Sequence, residues 1–318
     1  MKKLQVQSVI DSVKKIMAGD KKSRVISAVS GGVDSTVVSA IVAKAIGNRL
    51  IPVHIDNGLM RLGTAEEVKY IFESVLGIKL VVVRARENFL QVLKGVTSPE
   101  EKRKKIGKLY IDLFEKIAKK HGDVKYLVQG TIYPDIIESY GSKHAGKIKS
   151  HHNVGGLPKN MNLKLLEPLR DYYKEEVKEL GRQMNLSESI LTRQPLPGPG
   201  QAIRIIGEVT QKRLAKQQQS DQIVIEVLKD AGWYNKIFQS FPILTGIKST
   251  AIKDNKRIYN EVLGLRICNS KDAMMAGWTQ LPYKILQKIS TRITNEVPGI
   301  SRVVYDITTK PPATIEWE

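Results

Sequence analysis

The sequence predicts an α/β protein in two parts: a parallel sheet flanked by helices over residues 1–194, and a smaller α+β domain over residues 195–318. Three observations lead there. Apolar strand-like runs alternate with helical patterns through the first half, which implies right-handed crossovers and a parallel sheet. A proline-glycine cluster, Pro195-Leu196-Pro197-Gly198-Pro199-Gly200, can be neither helix nor central strand and reads as a junction. Beyond it the texture changes to short apolar runs with two interposed helical patterns. A chain of 318 residues fits about two domains.

Taken in order, residues 5–18 form an amphipathic stretch and predict the first helix. Strands are expected at 24–29, 50–55, 79–83 and 125–129, with helices at 36–46, 65–76 and 99–120 between them. The last of these helices announces its start. Ser98 suits the N-cap, Pro99 the first helical position, and Glu100 and Glu101 the first turn. A helix near 171–184 precedes the junction. In the second part, strands are expected at 202–206, 262–268, 302–307 and 314–317, and helices at 221–231 and 283–297. There is no internal repeat and no low-complexity tract.

Composition narrows the function classes. Hydrophobic residues at 42% and charged residues at 26% are those of a soluble globular protein. No apolar run approaches the ~20 residues that span a bilayer, and Met1-Lys2-Lys3-Leu4 leads into a charged amphipathic stretch rather than a signal-peptide core. A cytoplasmic location is expected. The single cysteine, Cys268, excludes an internal disulfide and a cysteine metal cluster, and its apolar surroundings predict a buried small hydrophobe. The chain carries 51 Lys and Arg against 32 Asp and Glu, a net +19, so its partners are polyanions: nucleic acid, or nucleotides and pyrophosphate. Lys102, Lys104, Lys105, Lys116, Lys119 and Lys120 read as a solvated helix face. No arginine-rich tail or aromatic-interleaved basic stripe favours nucleic acid.

Parallel sheets bind ligands beyond the C-terminal ends of their strands. Three turns sit at such ends: Ser30-Gly31-Gly32-Val33-Asp34-Ser35-Thr36, Asp56-Asn57-Gly58 and Gly130-Thr131. They are expected to converge on one pocket. The first is a glycine-rich turn between strand and helix, which reads either as a phosphate cradle of outward N–H groups and the helix N-terminus or as a plain tight βα turn. It has no Walker lysine and no G-x-G-x-x-G. Its Ser-Gly-Gly-x-Asp-Ser pattern resembles the loop of the N-type ATP pyrophosphatases (adenine nucleotide α-hydrolase-like). These split ATP into AMP and pyrophosphate while activating an oxygen of a second substrate. With no lysine in the loop, cations are expected from magnesium and a mobile lid.

Asp135 and Glu138 are three apart, so a helix places them on one face, where they suit magnesium or simply favour the helix dipole. Lys149, His151 and His152 fall in an aperiodic glycine-containing segment that reads either as a loop over phosphates or as a polar surface loop. Adjacent histidines argue against one shared zinc. Arg103 is either part of a solvated face or a bidentate phosphate clamp. The last residues, 300–318, are apolar and turned by Pro311-Pro312, which predicts a packed rather than frayed segment. Lys310 and Glu316 flank that turn, fitted to a phosphate and a purine N–H edge.

Taken together the chain resembles the GMP synthetase family over nearly its whole length, specifically the ATP-pyrophosphatase subunit. The resemblance rests on SGGVDST, the segment His54 to Arg61, the PEEKRK helix start, IYPDIIES, KSHHNVGGLP, PGPG followed by Ala202 to Val209, and VVYDITTKPPATIEWE. It implies a two-step reaction, adenylation of XMP by ATP and displacement of AMP by ammonia. By the same resemblance Ser30, Gly31, Gly32, Val33, Asp34, Ser35, Thr36 and Asp56 hold ATP. Asp135 and Glu138 support magnesium, while Lys149, His151 and His152 act on phosphates from a lid. Arg103, Arg204, Lys310, Ile315 and Glu316 contact XMP, and the C-terminal domain dimerises. The chain has no glutaminase domain, so a separate glutamine amidotransferase subunit is expected to supply ammonia. Gln194 and Leu196 replace the family's usual histidine and phenylalanine, and the tract 248–259 lacks its usual glycines. The rival classes are another ATP-pyrophosphatase ligase and a basic nucleic-acid-binding module.

Overall fold

The computed structural model describes residues 4–140, 163–270 and 273–318. Its elements up to the last parallel strand are α1 (Val6–Ile16), β1 (Arg24–Ala28), α2 (Val33–Ile46), β2 (Leu50–Asp56), α3 (Thr64–Tyr70), β3 (Val81–Arg84), α4 (Arg86–Leu93), α5 (Pro99–His121), β4 (Val124–Val128), α6 (Tyr133–Tyr140) and β5 (Lys164–Leu166). There follow α7 (Lys174–Gln183), α8 (Glu188–Leu191), α9 (Gln211–Asp230), β6 (Gln239–Lys253), β7 (Lys256–Asn269), β8 (Gly277–Trp278), α10 (Tyr283–Glu296) and β9 (Ile300–Tyr305). Two compact units result. The first comprises Met1–Asp56, Gly63–Ala85 and Gly107–Arg193; the second comprises Asn57–Leu62, Arg86–Ile106 and Gln194–Glu318. The two short insertions from the first half had no signature in the sequence, and one of them carries Arg103.

In the first unit β1 to β5 form one parallel sheet in the order β3-β2-β1-β4-β5. β2 is buried along almost its whole length and β1 over its three central residues, as strands covered on both faces must be, which is why they read as continuous apolar runs. Val37, Val38, Ile41 and Val42 of α2 are fully buried in the same cluster as Val25 and Val128. From β1 the chain builds outward through β2 to β3; β4 and β5 lie on the other side of β1. The switch point is therefore the C-terminal end of β1 beside β4, where the sheet opens for a ligand. α2 starts at Val33, three residues before the expected start, so Asp34 to Thr36 belong to its first turn. The three-residue strand β5 and the helix α4 were not foreseen.

In the second unit β6 and β7 run antiparallel, β9 pairs parallel with β7, and β8 adds a two-residue edge. β6 escaped the sequence because Pro242 and Gly246 interrupt it. An edge strand tolerates the proline, and the register shifts between Leu244 and Lys248. α9 begins at Gln211 with Thr210 as its cap, ten residues before the expected helix at 221. Two expected strands are not strands. Residues 202–206 fall mostly in a tight helical turn, Gly200–Arg204, with a single bridge from Ile205 to Leu244. The run 314–317 has no ladder; side chains hold it instead, as described below. Gly200 explains the first case. Its φ is +62°, and an added Cβ would lie 2.9 Å from the Leu59 carbonyl carbon. Gly200→Ala is therefore expected to cost about 2–4 kcal/mol in chemical denaturation, from strain plus the clash. A loss below about 0.5 kcal/mol would refute this account of the turn.

Candidate active site

The glycine loop leaves β1 and enters α2 with its hydroxyls turned inward. Ser30 Oγ accepts from the Gly32 N–H at 3.3 Å and lies 3.0 Å from Ser35 Oγ. Ser35 Oγ and Thr36 Oγ1 both donate to the Gly32 carbonyl, at 3.1 and 2.8 Å. Short side chains thus fix the turn locally and leave the first helical N–H groups at its mouth. Gly130, just past β4, comes against this loop: a Cβ there would lie 2.9 Å from Asp34 C and Ser35 N. Two of the three expected turns therefore meet. Asp56 ends β2, the parallel neighbour of β1, and the Asn57-Gly58 part of its turn groups with the second unit.

The main surprise is a lysine. Lys174 Nζ, at the start of α7, donates to both carboxylate oxygens of Asp34, at 2.7 and 2.6 Å. Arg193 adds a second cation: its Nη1 donates to the Gly31 carbonyl at 2.9 Å, and it pairs with Glu67. The segment before α7 is tied to the Gly130 turn. The Tyr133 N–H donates to the Tyr172 carbonyl at 3.0 Å, and the rings of Tyr133 and Tyr173 meet edge-on at 5.0 Å. Thr131 Oγ1 donates to Glu167 at 2.6 Å. No spacing rule joins Asp34 to a lysine 140 residues away.

His54 lies buried in β2. Burial pushes its imidazole below the ordinary value, against the opposing pull of the Val29 carbonyl, 2.8 Å from Nδ1. A carbonyl only accepts, so Nδ1 carries the proton and the neutral ring ties β2 to the end of β1. Asp135 stands in the first turn of α6 and accepts the Ile132 N–H at 3.0 Å, a local cap. Glu138 follows on the same helix. Lys149, His151 and His152 lie outside the described residues. Among the described residues no group of three or more His, Cys, Asp and Glu could hold a metal ion.

The second unit gathers the other expected set. Arg103, Arg204, Lys310, Ile315 and Glu316 all belong to it. Arg204 is fully buried, stacks 3.9 Å over the Phe241 ring, and donates to Glu316 through Nε at 3.0 Å and Nη2 at 2.8 Å. Gln239 Nε2 completes the grip on Glu316 at 2.9 Å. Ile315 packs into the cluster of Phe241, Ile243, Cys268 and Ala276. Ala276 in turn bridges Lys310, through backbone bonds of 3.0 and 2.8 Å. Lys310 Nζ donates to the Ala273 carbonyl at 2.7 Å and lines a shallow, open surface depression with Asn269, Ser270, Gly277, Thr309 and Pro311. Cys268 is buried, and burial pushes its thiol up to about 11, as fits a core residue and not a nucleophile. Lys102, read from the sequence as solvated, is fully buried; its hydrogen bonds are given below. Among the described residues no helix is long and apolar enough to cross a membrane.

Residues 226–317 match the family described as GMP synthase C terminal domain. The chain is 50% identical over 309 residues to GMP synthase (glutamine-hydrolyzing) of a Nitratiruptor species, covering 97% of the chain and 60% of that protein. It is 52% identical over 306 residues to the protein of that name from Campylobacter lari, covering 96% and 59%. The Halothermothrix orenii protein of the same name is 52% identical over 313 residues, covering 98% and 61%. The chain thus spans about three fifths of the length of these curated relatives. A solved NH3-dependent NAD synthetase from Campylobacter jejuni aligns with 71% of the chain and 85% of its own at 11% identity and a TM-score of 0.44, a likeness that carries no further argument.

Proposed function

We propose a function from one premise, that the chain belongs to the GMP synthase family. Its reaction is the ATP-dependent amination of XMP to GMP. The 2-oxygen of the xanthine ring attacks the α-phosphate of ATP, forming an O–P bond and expelling pyrophosphate. Ammonia then displaces AMP from C2 of the adenylyl-XMP so formed. The observation that carries the reading is the Ser30–Thr36 loop at the switch point of a parallel sheet, in a chain half identical to GMP synthases.

Ser30, Gly31, Gly32, Val33, Asp34, Ser35 and Thr36 hold the pyrophosphate portion of ATP through backbone N–H groups and the α2 N-terminus, with Asp56 beside them. Lys174 supplies the cation that the loop lacks. Asp135 and Glu138 would hold Mg²⁺, a hard ion that commonly takes one or two carboxylates alongside substrate phosphates, which fits oxygen donors on one helix face. Mg²⁺ would neutralise charge on the departing pyrophosphate. Lys149, His151 and His152 act on the phosphates. Arg103, Lys310, Ile315 and Glu316 form the XMP site, with Lys310 toward phosphate and Glu316 toward the purine N–H edge; Arg204, expected from the sequence to contact XMP, has no exposed surface and acts instead by holding Glu316. A glutamine amidotransferase supplies the ammonia, the second unit carries a homodimer contact, and the enzyme works in the cytoplasm.

The test is direct. Purified chain given XMP, ATP, Mg²⁺ and an ammonium salt is expected to release pyrophosphate and form GMP. Pyrophosphate release that does not depend on XMP, or none at all, overturns the reading.

A further inference from the structure

Among the described residues, three cations of the second unit have no solvent exposure, Lys102, Arg204 and Arg266, and each is spent on the segment between residues 306 and 318. Arg266 pairs with Asp306 at 3.2 Å and donates to the Thr314 carbonyl at 3.1 Å. Arg204 grips Glu316, as described. Lys102 closes on Glu318 and differs from the other two in its origin: it comes from the first turns of α5, one residue before Arg103.

The local geometry is closed. Lys102 Nζ donates to the Ile205 carbonyl at 2.7 Å and to the Glu318 carboxylate. The other Glu318 carboxylate oxygen accepts the Gly207 N–H at 3.3 Å, and Arg103 Nη2 donates to the Glu318 backbone carbonyl. A buried ammonium is costly unless paired and hydrogen-bonded, and an apolar side chain of similar volume would fill the same space with less penalty. What the pair adds is geometry. It fixes the start of α5 to the 314–318 segment at one separation.

We infer that Lys102 and Glu318 are a positioning pair for the nucleotide site, setting Arg103 and Glu316 at the spacing at which both meet XMP. The inference rests on the reading that Arg103 and Glu316 contact XMP. Lys102 itself, with no exposed surface, touches no substrate.

Lys102→Met keeps the volume and removes the charge. It is expected to raise KM for XMP by about tenfold, the scale seen when a residue supporting a ligand is lost. KM for ATP and kcat should stay within about twofold. Trp317 gives a second readout that needs no turnover. Its indole, already 42% exposed, donates to Asp306 at 2.9 Å, so a loosened segment frees it further. With Trp233 and Trp278 replaced by Phe, its emission should become more open to acrylamide quenching in Lys102→Met. Unchanged KM for XMP with unchanged quenching overturns the inference, and so does an equal rise in both KM values. If Lys102→Met does not fold, Lys102→Met/Glu318→Leu removes both charges, and a folded double variant with the wild-type KM for XMP also overturns it. A wild-type chain that does not turn over XMP refutes the proposed function instead, and the quenching comparison still decides whether the pair holds the segment.

Discussion

Asp34→Ala lowers XMP-dependent pyrophosphate release on the order of 10²–10³-fold, the usual scale for removing one preorganised electrostatic partner from a reaction centre. Asp34 sits in the first turn of α2, inside the proposed pyrophosphate cradle, and holds Lys174 through both carboxylate oxygens. Without it the ammonium has no fixed position over the loop. The pair is partly exposed, at 38% for Lys174 and 27% for Asp34, so its loss costs the fold only about 0–1 kcal/mol. The thermal midpoint should therefore barely move while activity collapses. Lys174→Ala should reproduce the defect, and the double variant should lose less than the two single losses combined, because the residues act as one unit. Wild-type turnover in folded Asp34→Ala would mean that the loop is not where ATP reacts.

Arg204→Ala acts on the other quantity, stability. Its guanidinium is fully buried, bonded twice to Glu316 and stacked on Phe241. Breaking a buried ion pair from one side typically costs about 3–5 kcal/mol, since the partner charge stays behind. Denaturant titration of Arg204→Ala should show a loss of this size. Arg204→Ala/Glu316→Ala should lose less than the sum of the single variants. A cost under about 1 kcal/mol for the single change would show that Glu316 finds water or another partner and that the network is not what orders the segment.

The parts of the molecule that were legible in the sequence share a property: they are local. The parallel strands came from continuous apolar runs, because both faces of β1 and β2 are covered. The start of α5 came from Ser98, Pro99 and two glutamates within one turn. Where a local pattern failed, a specific contact prevailed. Residues 202–206 look like a strand but follow a left-handed Gly200 pressed on Leu59, and so close into a helical turn. Residues 314–317 look like a strand but satisfy their polar groups through Arg266, Arg204 and Gln239 rather than through a ladder. Lys102 looks like one of several solvated lysines on α5, and only its burial separates it from them.

By itself the sequence determined the glycine-rich loop between strand and helix, the crossovers that bring it to a strand end, and the residue types available there. Glycines, helix starts and apolar periodicity are encoded within a few residues of where they act. Only the tertiary structure decided which charges meet. Lys174 reaches Asp34 across 140 residues, and Lys102 reaches Glu318 across 216. Such pairings are set by how elements pack, not by spacing along the chain. A loop that reads as a cradle without a lysine is, in the folded protein, one with a lysine bound to its aspartate.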